Sequence, residues 1–145
     1  MTVITNSFDV IVELADVTGW YILSTGGRLI PESLALIGSQ CHQMIRNFHV
    51  DKAIIYCKVL SPSCGITDSS EYHDSTKQAM MRSASETILA LDDSKFDKIS
   101  FVQIAELTDV KLIVTNRKPS EEWLQLFDQL KLRCLYPAAE EASQE

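Results

Sequence analysis

Acidic and basic side chains stand together directly after one apolar run, in the stretch "LALDDSKF" at 89–96. Lys95 could offer its ammonium group to the phosphate of a ligand. The alternative is a surface ion pair between Lys95 and one of the acids, a contact that contributes little. The spacing alone favours the surface pair.

Two further stretches have residue types that small-ligand contacts use. Asn6 and Ser7 follow the run "TVIT", where a helix N-cap, or a cap that also contacts a ligand, would explain them. Gly26 and Gly27 could form a turn that needs positive φ. They could equally let a ligand approach bare backbone N–H groups, as anion-binding loops require. Both pairs keep a structural and a ligand-binding interpretation.

The common motifs for metal and nucleophilic chemistry are missing from the sequence. There is no G-x-S-x-G elbow, Walker-type phosphate loop or G-x-G-x-x-G after a strand. Cys57, Cys64 and His73 have no recognised zinc spacing, and we expect His42 and His49 on or near a helix surface. No C-x-x-C pair occurs, which indicates reduced thiols in a reducing compartment at Cys41, Cys57, Cys64 and Cys134. We expect no metal, no cofactor and no catalytic residue.

Short β-type runs alternate with helical patterns along the chain. Runs rich in Ile, Val, Leu and Tyr predict strands at 2–5, 20–25, 52–60, 86–92, 111–116 and 132–137. Spaced apolar residues predict helices at 7–16, 33–47, 71–84, 100–107 and 119–130. The alternation predicts an α/β fold class: a layered, mostly parallel sheet flanked by helices, since parallel strands need crossover connections.

In open α/β sheets, ligands collect at the carboxyl ends of the strands. The polar residues that follow each apolar run are therefore the natural places to seek a site. They occur at 5–7, 24–27, 61–67, 92–95 and 115–118. This rule places the Asp92–Lys95 stretch at a strand end on the ligand side of the sheet.

Length and charge limit the class of protein. A chain of 145 residues with 46% hydrophobic residues is long enough for one domain with a substantial core. Its formal charge of −7 opposes binding to a nucleic acid backbone, which needs a concentrated basic face. No apolar run approaches the roughly 18 residues of a membrane helix. The sequence favours a cytoplasmic protein with no direct nucleic acid contact and no membrane partner.

Seven segments, taken in order, carry a family resemblance: "VITNS" (3–7), "STGGRLIPESLALIG" (24–38), "FHVDKAII" (48–55), "CGITDSSEYHDSTKQAMM" (64–81), "ILALDDSKFDKISF" (88–101), "IAELTDVKLIVTN" (104–116) and "PSEEWLQLFDQLKLRCLYP" (119–137). Together they resemble the C-terminal, effector-sensing domain of DeoR-type transcriptional repressors. The stretch D-x-S-K-F at 92–96 is among the more specific parts.

The resemblance implies a fold similar to ribose-phosphate isomerases and coenzyme A transferases, used as a sensor. In such proteins a phosphorylated sugar or related metabolite binds at strand ends and alters how a linked winged helix-turn-helix module holds its operator. The contacts that the resemblance implies are Thr5, Asn6, Gly26, Gly27, Lys77, Asp92 and Lys95.

Parts of the sequence depart from the family pattern. Tyr56 and Val59 stand where glycines are expected, which favours an altered pocket, while Lys58 could provide a replacement phosphate contact. Asn116 occupies a position where an aspartate is common. The winged helix-turn-helix, and the first strand with its phosphate loop, are expected to be missing from a sensor domain at 1–137, followed by a disordered acidic tail at 138–145.

Three functions remain open at this point. The first is a regulatory effector domain that binds a phosphorylated sugar or similar anion. The second is an interaction module that has lost its pocket. The third is a sugar-phosphate isomerase-like enzyme, for which Asp92 is the only modest candidate base. Homo-oligomerisation is expected in addition, because a sheet without its first strand and helix leaves an open edge and uncovered apolar helix faces.

Overall fold

The computed structural model describes residues 1–138, apart from the side chain of Tyr72. The predicted acidic tail therefore lies outside the described residues, except for its first position. In chain order the elements are β1 (Thr2–Thr5), α1 (Phe8–Leu14), β2 (Tyr21–Ser24), β3 (Arg28–Ile30), β4 (Ala35–Ile37), α2 (Ser39–Arg46), β5 (Val50–Ile55), β6 (Val59–Ser61), β7 (Gly65–Asp68), α3 (Glu71–Arg82), β8 (Ala84–Leu91), β9 (Val102–Ala105), β10 (Leu112–Thr115), α4 (Glu121–Gln129) and β11 (Arg133–Leu135). Short 3₁₀ turns occupy Asp93–Lys95 and Leu107–Asp109.

The chain divides into two compact units, one made of residues 1–51 and 70–85, the other of 52–69 and 86 onward. In the first unit, β1 and β2 pair in parallel and β3 and β4 form an antiparallel hairpin. Cys41 and Ile45 of α2 pack with Ala79 and Met80 of α3. The apolar stripe of α2 therefore packs partly against α3, whereas the sequence predicts that it faces a sheet.

The second unit is built on a four-stranded parallel sheet in the order β11-β10-β8-β5. A separate three-stranded antiparallel sheet has the order β6-β7-β9. Leu89 and Ile113, which are register partners on β8 and β10, are completely buried, as is nearly all of Phe127 on α4. The predicted α/β class is therefore confirmed, and its parallel sheet places the ends of β8 and β10 side by side.

The other face of that parallel sheet is exposed and apolar. Ala90, Val114 and Leu135 are register partners on three neighbouring strands, and Val114 and Leu135 are 38% and 50% exposed. Ile54 on β5 alternates with the buried Ala53 and Ile55 and is 70% exposed. Parallel sheets usually have both faces covered, so this face, which we call the open sheet face, is an unusual surface.

One helix prediction was wrong in part and another was wrong entirely. The first half of the predicted helix 33–47 is the hairpin strand β4, because Leu34 (φ 48°) and Gly38 (φ 109°) have backbone conformations that a right-handed helix excludes. The predicted helix 100–107 is the strand β9, which pairs with β7. The predicted strand 52–60 is interrupted at 56–58 and forms β5 and β6.

Candidate functional site

The carboxyl ends of β1 and β2 lie together in the first unit. Thr5 is the register partner of Ser24, and the N–H of Thr25 donates to the carbonyl of Thr5 over 3.0 Å. The buried Thr5 hydroxyl accepts from the N–H of Ser7 at 3.1 Å. The Thr5 side chain therefore shapes the loop that leaves β1.

Asn6 and Ser7 have different structural roles. Ser7 is the N-cap of α1, where its hydroxyl accepts from the N–H of Val10 at 3.3 Å. Asn6 instead connects the β1 end to β4: its Nδ2 donates to the carbonyl of Leu36 at 3.1 Å, and its own carbonyl accepts from the N–H of Leu36 at 2.7 Å. The predicted cap is confirmed at Ser7, and Asn6 orders the neighbouring hairpin.

The Gly26-Gly27 pair is required by the backbone. Both glycines have positive φ, and a Cβ atom on Gly27 would lie 2.5 Å from the carbonyl oxygen of Ile37. That close approach brings the loop beside the start of α2, whose N-cap is Gly38 and receives no side-chain hydrogen bond. The first N–H groups of a helix lack partners within it, so α2 presents backbone donors of the kind that hold anions.

A buried polar cluster lies under this loop. The thiol of Cys41 is hydrogen-bonded to Thr25 and Thr76, but burial has the larger effect and raises the pKa of Cys41 above its ordinary 9.0. The Nε2 atom of His42 lies 3.0 Å from the Thr76 hydroxyl, and burial, followed by the charge of Arg46, lowers the pKa of His42. The thiol stays protonated and the imidazole neutral at pH 7, which suits structural roles for both.

Sequence reasoning assigned no role to this cluster. His42 was expected near a helix surface, yet it is half-buried and bonded to α3. Thr76 lies in the polar stretch "HDSTKQ" at 73–78, so nothing in its type indicates a buried position. The adjacent Lys77 is also buried, with only 5% of its surface exposed. The prediction that Lys77 contacts a ligand stays a prediction.

In the second unit, three loops follow neighbouring strands of the parallel sheet, and two of them contain the predicted stretches 92–95 and 115–118. The predicted stretch 61–67 does not follow a strand of this sheet, because β5 ends at Ile55 and residues 61–67 belong largely to the antiparallel pair β6 and β7. Residues 56–58 follow β5, residues 92–95 follow β8 and residues 116–118 follow β10, so all three lie at one edge. Lys58 is exposed, and Tyr56 is 58% exposed while Val59 is buried in β6. We call the edge formed by these three loops the carboxyl edge; Asp92 and Lys95 both lie on its middle loop.

Asp92 and Lys95 are neighbours across one 3₁₀ turn. Asp92 caps the turn and accepts hydrogen bonds from the Ser94 hydroxyl and, at 2.9 Å, from the Ser94 N–H. The Nζ atom of Lys95 lies 3.9 Å from Oδ2 of Asp92, and both side chains are partly exposed. The predicted surface pair therefore exists, but its length leaves the ammonium group accessible to another acceptor.

Asp93 connects the β8 loop to the β10 loop. Its N–H donates to Oδ1 of Asn116 at 2.7 Å, and Nδ2 of Asn116 donates back to Oδ1 of Asp93 at 2.9 Å. Nη1 of Arg117 lies 3.5 Å from the other oxygen of Asp93. The two adjacent acids thus have different structural roles: Asp92 caps the 3₁₀ turn, and Asp93 is hydrogen-bonded to Asn116 in the loop after β10.

The far end of the same loop is held by α4. The indole N–H of Trp123 donates to Oδ1 of Asp97 at 2.9 Å, and the Phe96 and Trp123 rings meet edge to face with centroids 5.1 Å apart. Asp97 has φ 61°, a conformation that this bond helps to maintain. The loop is therefore anchored on both sides of Lys95.

Other kinds of site find little support in the described residues. Within 1–138, no group of three His, Cys, Asp or Glu side chains is arranged to hold a metal ion. An open cavity of about 260 Å³ lies in the second unit between the turn at 62–65, residues 103–108 and α4, and its lining includes neither Asp92 nor Lys95. No helix in the described part of the chain is long and apolar enough to cross a membrane.

Comparison with known proteins identifies the family to which the chain belongs. A family model described as "DeoR C terminal sensor domain" matches residues 1–117. The chain is 37% identical over 128 residues to the HTH-type transcriptional repressor GlcR of Bacillus subtilis, covering 88% of this chain and 49% of GlcR. The chain belongs to the DeoR C-terminal sensor domain family, which confirms the resemblance.

Other relatives are also transcriptional regulators. The transcriptional repressor AccR of Agrobacterium fabrum is 35% identical over 117 residues, covering 80% of this chain and 45% of AccR. The L-fucose operon activator of Haemophilus influenzae is 28% identical over 116 residues, covering 80% of this chain and 47% of that protein. The chain spans about half the length of the curated relatives it matches.

The close approach at Gly27 predicts a large effect of one methyl group. We expect Gly27→Ala to lower the free energy of unfolding by about 2–4 kcal/mol, because it adds a steric clash to an unfavourable φ. Gly19→Ala is the control: Gly19 also has positive φ, but a Cβ atom there would meet no heavy atom within 4 Å. It should cost only about 1–2 kcal/mol. Equal losses in urea denaturation would contradict the close contact.

The cap at Asp92 predicts a low pKa that depends on Ser94. Hydrogen bonds from Ser94 lower the pKa of Asp92 below its ordinary 3.8, and Lys95 contributes less. Stabilisation of the turn by this carboxylate is therefore present above pH 3.8 and lost as the pH falls through the folded-state pKa. In a carboxyl ¹³C NMR titration, Ser94→Ala should raise the pKa of Asp92 more than Lys95→Ala does. The opposite order would refute the cap as the main cause.

Proposed function

We propose that this chain is the effector-sensing domain of a DeoR-type transcriptional repressor. It binds a phosphorylated sugar or related anionic metabolite and thereby controls DNA binding by a linked module. The observation that carries the proposal is the accessible ammonium group of Lys95, held at the carboxyl edge by an anchored turn and paired with Asp92 only at 3.9 Å. Membership of a sensor-domain family makes a ligand site at this edge the natural expectation.

The chemistry of the carboxyl edge suits a phosphorylated sugar. Lys95 supplies a point charge for a phosphate oxygen, and Asp92, which is ionised at neutral pH, accepts from sugar hydroxyls. Lys58, exposed on the adjacent loop, is the further contact that we propose in this unit. Such a ligand needs both a cation and an acceptor, which distinguishes it from a plain inorganic anion.

The first unit offers groups of the same kind. The start of α2 presents backbone N–H donors beside the Gly26-Gly27 loop, in which the Gly26 N–H donates to the Ser24 hydroxyl at 3.3 Å. We propose Gly26, Gly27, Thr5, Asn6 and Lys77 as the contacts there. Thr5 and Asn6 would act mainly through the backbone that they order, because their side chains already bond within the loop. Lys77 is the buried cation of this unit.

The names of relatives support a sugar-responsive role. One relative is an L-fucose operon activator, and others are named as transcriptional repressors. DNA contact would belong to a linked module, since the net charge of −7 disfavours a phosphate backbone. A cytoplasmic location would fit reduced thiols and access to phosphorylated metabolites.

We prefer a sensor to an enzyme on chemical grounds. An isomerase-like reaction needs a base that can take a proton from carbon, with a pKa near the working pH. The pKa of Asp92 is shifted the wrong way, below its ordinary value, and the Cys41 thiol is buried and protonated. A bound sugar phosphate would therefore be held without being converted.

The proposal predicts ligand-dependent stability. Glucose 6-phosphate, fructose 6-phosphate and ribose 5-phosphate are suitable probes, and at least one should raise the melting temperature saturably. At a hundred times its dissociation constant, a ligand specific for the folded state adds about 2.7 kcal/mol. Lys95→Ala should abolish the rise, measured by differential scanning fluorimetry against inorganic phosphate and free glucose.

Lys111→Ala is the matched control for that experiment. Lys111 is an exposed lysine directly before β10, at the opposite edge of the same sheet. Its loss should leave the ligand response unchanged. A flat response of the well-folded wild-type chain to all three sugar phosphates would defeat the proposal, and turnover of any of them would favour the enzyme instead.

A second candidate is a self-association module, and the open sheet face favours it. Ile54, Val114 and Leu135 expose an apolar surface on a parallel sheet that would ordinarily be covered. A second copy of this chain is the occupant that we propose. This function is compatible with sensing, and it would stand alone if no metabolite binds.

Sedimentation equilibrium tests this candidate with two charge substitutions. Leu135→Lys should weaken the dimer at least about tenfold, because docking would bury an unpaired charge. Gln125→Lys, on the exposed side of α4, should leave the association unchanged. A monomeric wild-type chain at high concentration would rule out the self-association module.

A further inference from the structure

Asn116 makes two hydrogen bonds to one residue of the neighbouring loop. It accepts from the N–H of Asp93 through Oδ1 and donates to the Asp93 carboxylate through Nδ2, at 2.7 and 2.9 Å. A side-chain amide fits this pair of contacts, because it carries an acceptor and a donor on the same carbon atom. The two contacts also determine which amide atom points where, since neither can be made with the amide reversed.

This pair acts at the first residue of the turn that carries Lys95. The 3₁₀ turn spans Asp93–Lys95, so holding the backbone and carboxylate of Asp93 sets the position from which the Lys95 side chain extends. The Thr115 hydroxyl donates to Oδ1 of Asn116 at 3.4 Å and is buried at the end of β10. The sheet edge, rather than solvent, thus determines where Asn116 points.

Asn116 and Arg117 also offset the negative charge of the Asp93 carboxylate. Nη1 of Arg117 lies 3.5 Å from Oδ2 of Asp93 while Asn116 binds Oδ1, so both carboxylate oxygens face the β10 loop. Without these partners, a free carboxylate two residues from Lys95 would repel an anion or pair with the ammonium group itself. Because Asp93 is engaged by the β10 loop, Asp92 is the acid of the described turn that contacts Lys95.

We propose that Asn116, supported by Arg117, is a positioning residue of the anion site at Lys95: it orients the turn and keeps Asp93 from competing with the ligand. The proposal rests on the proposed function, because it assigns these residues a role in effector binding. Neither residue needs to touch the ligand. Their effect on affinity comes through the orientation of Lys95 and the local charge.

An exchange of the two side chains tests the pair. In Asn116→Asp two carboxylates face each other and the donor to Asp93 is lost, so the turn should loosen. The double variant Asp93→Asn with Asn116→Asp restores one amide and one carboxylate with their places reversed. Two readouts apply to the full chain: hydrogen exchange of amides 93–95 without ligand, and the dissociation constant for the most stabilising of the three sugar phosphates named above.

We expect Asn116→Asp to accelerate exchange at 93–95 and to weaken ligand binding about five- to tenfold, as for the loss of one or two hydrogen bonds. The double variant should recover binding to within about twofold of the wild type. Lys118→Ala is the control, since Lys118 lies in the same loop but pairs with Glu121. The core amides of Leu89 and Ile113 report whether any variant has lost its fold.

The outcomes separate this inference from the proposed function. Unchanged exchange at 93–95, unchanged affinity in Asn116→Asp, or no recovery in the double variant would each overturn the positioning role while leaving a sensor that binds through Lys95. If no sugar phosphate binds the wild-type chain, the proposed function fails and the positioning role fails with it. Faster exchange, weaker binding and recovery together would support both.

Discussion

Parallel pairing of neighbouring strands is the constraint on which both groups of candidate residues depend. Two parallel strands end on the same side, so the chain must leave both at one edge, where the ladder no longer satisfies backbone N–H groups. In the first unit, this brings the loop at Thr5 against Thr25. In the second, it brings Asp93 against Asn116. Side-chain oxygens then replace the missing ladder partners, which explains why Asn, Asp and Thr collect there.

The loop after β8 is held by hydrogen bonds at its start and mainly by aromatic packing at its end. At its start, hydrogen bonds to Asn116 act at an exposed edge, where they compete with water. At its end, Phe96 packs on the buried Trp123, whose indole N–H bonds Asp97. The contact between Phe96 and Trp123 should open less often than the hydrogen bonds to Asn116, because its stability comes from buried apolar area and not from a single polar partner. If ligand binding shifts Lys95, the hydrogen bonds between Asp93 and Asn116 should therefore be disturbed before the contact between Phe96 and Trp123.

Sequence reasoning found the elements whose signal is local. Four predicted elements correspond closely to the structure: the strands 2–5, 86–92 and 111–116 are β1, β8 and β10, and the helix 119–130 is α4. Their signals, an apolar run or a helix N-cap, lie in consecutive residues and can be recognised without knowing the fold. Sequence reasoning missed β4, since the left-handed backbone at Leu34 and Gly38 leaves an apolar stripe that still looks helical. It also missed β9, a short strand whose partner β7 is distant in sequence. The same limit applies to the site: the Asp92–Lys95 pair was visible, but the bonds from Asp93 to Asn116 join residues 23 positions apart.

A net charge of −7 does not oppose an anion site at the carboxyl edge, because charge matters there only at short range. At physiological salt, screening limits exposed charges to about 8 Å. The side chains in contact with the turn are the cations Lys95, Lys98 and Arg117 and the acids Asp92 and Asp93. Asp97, two residues after Lys95, is a third acid, and its carboxylate accepts from the indole N–H of Trp123. Cations and acids are thus balanced around the turn, although the chain as a whole is acidic. Binding would then be governed by how well this small set is held in place, so that residues which orient the turn matter as much as the lysine itself.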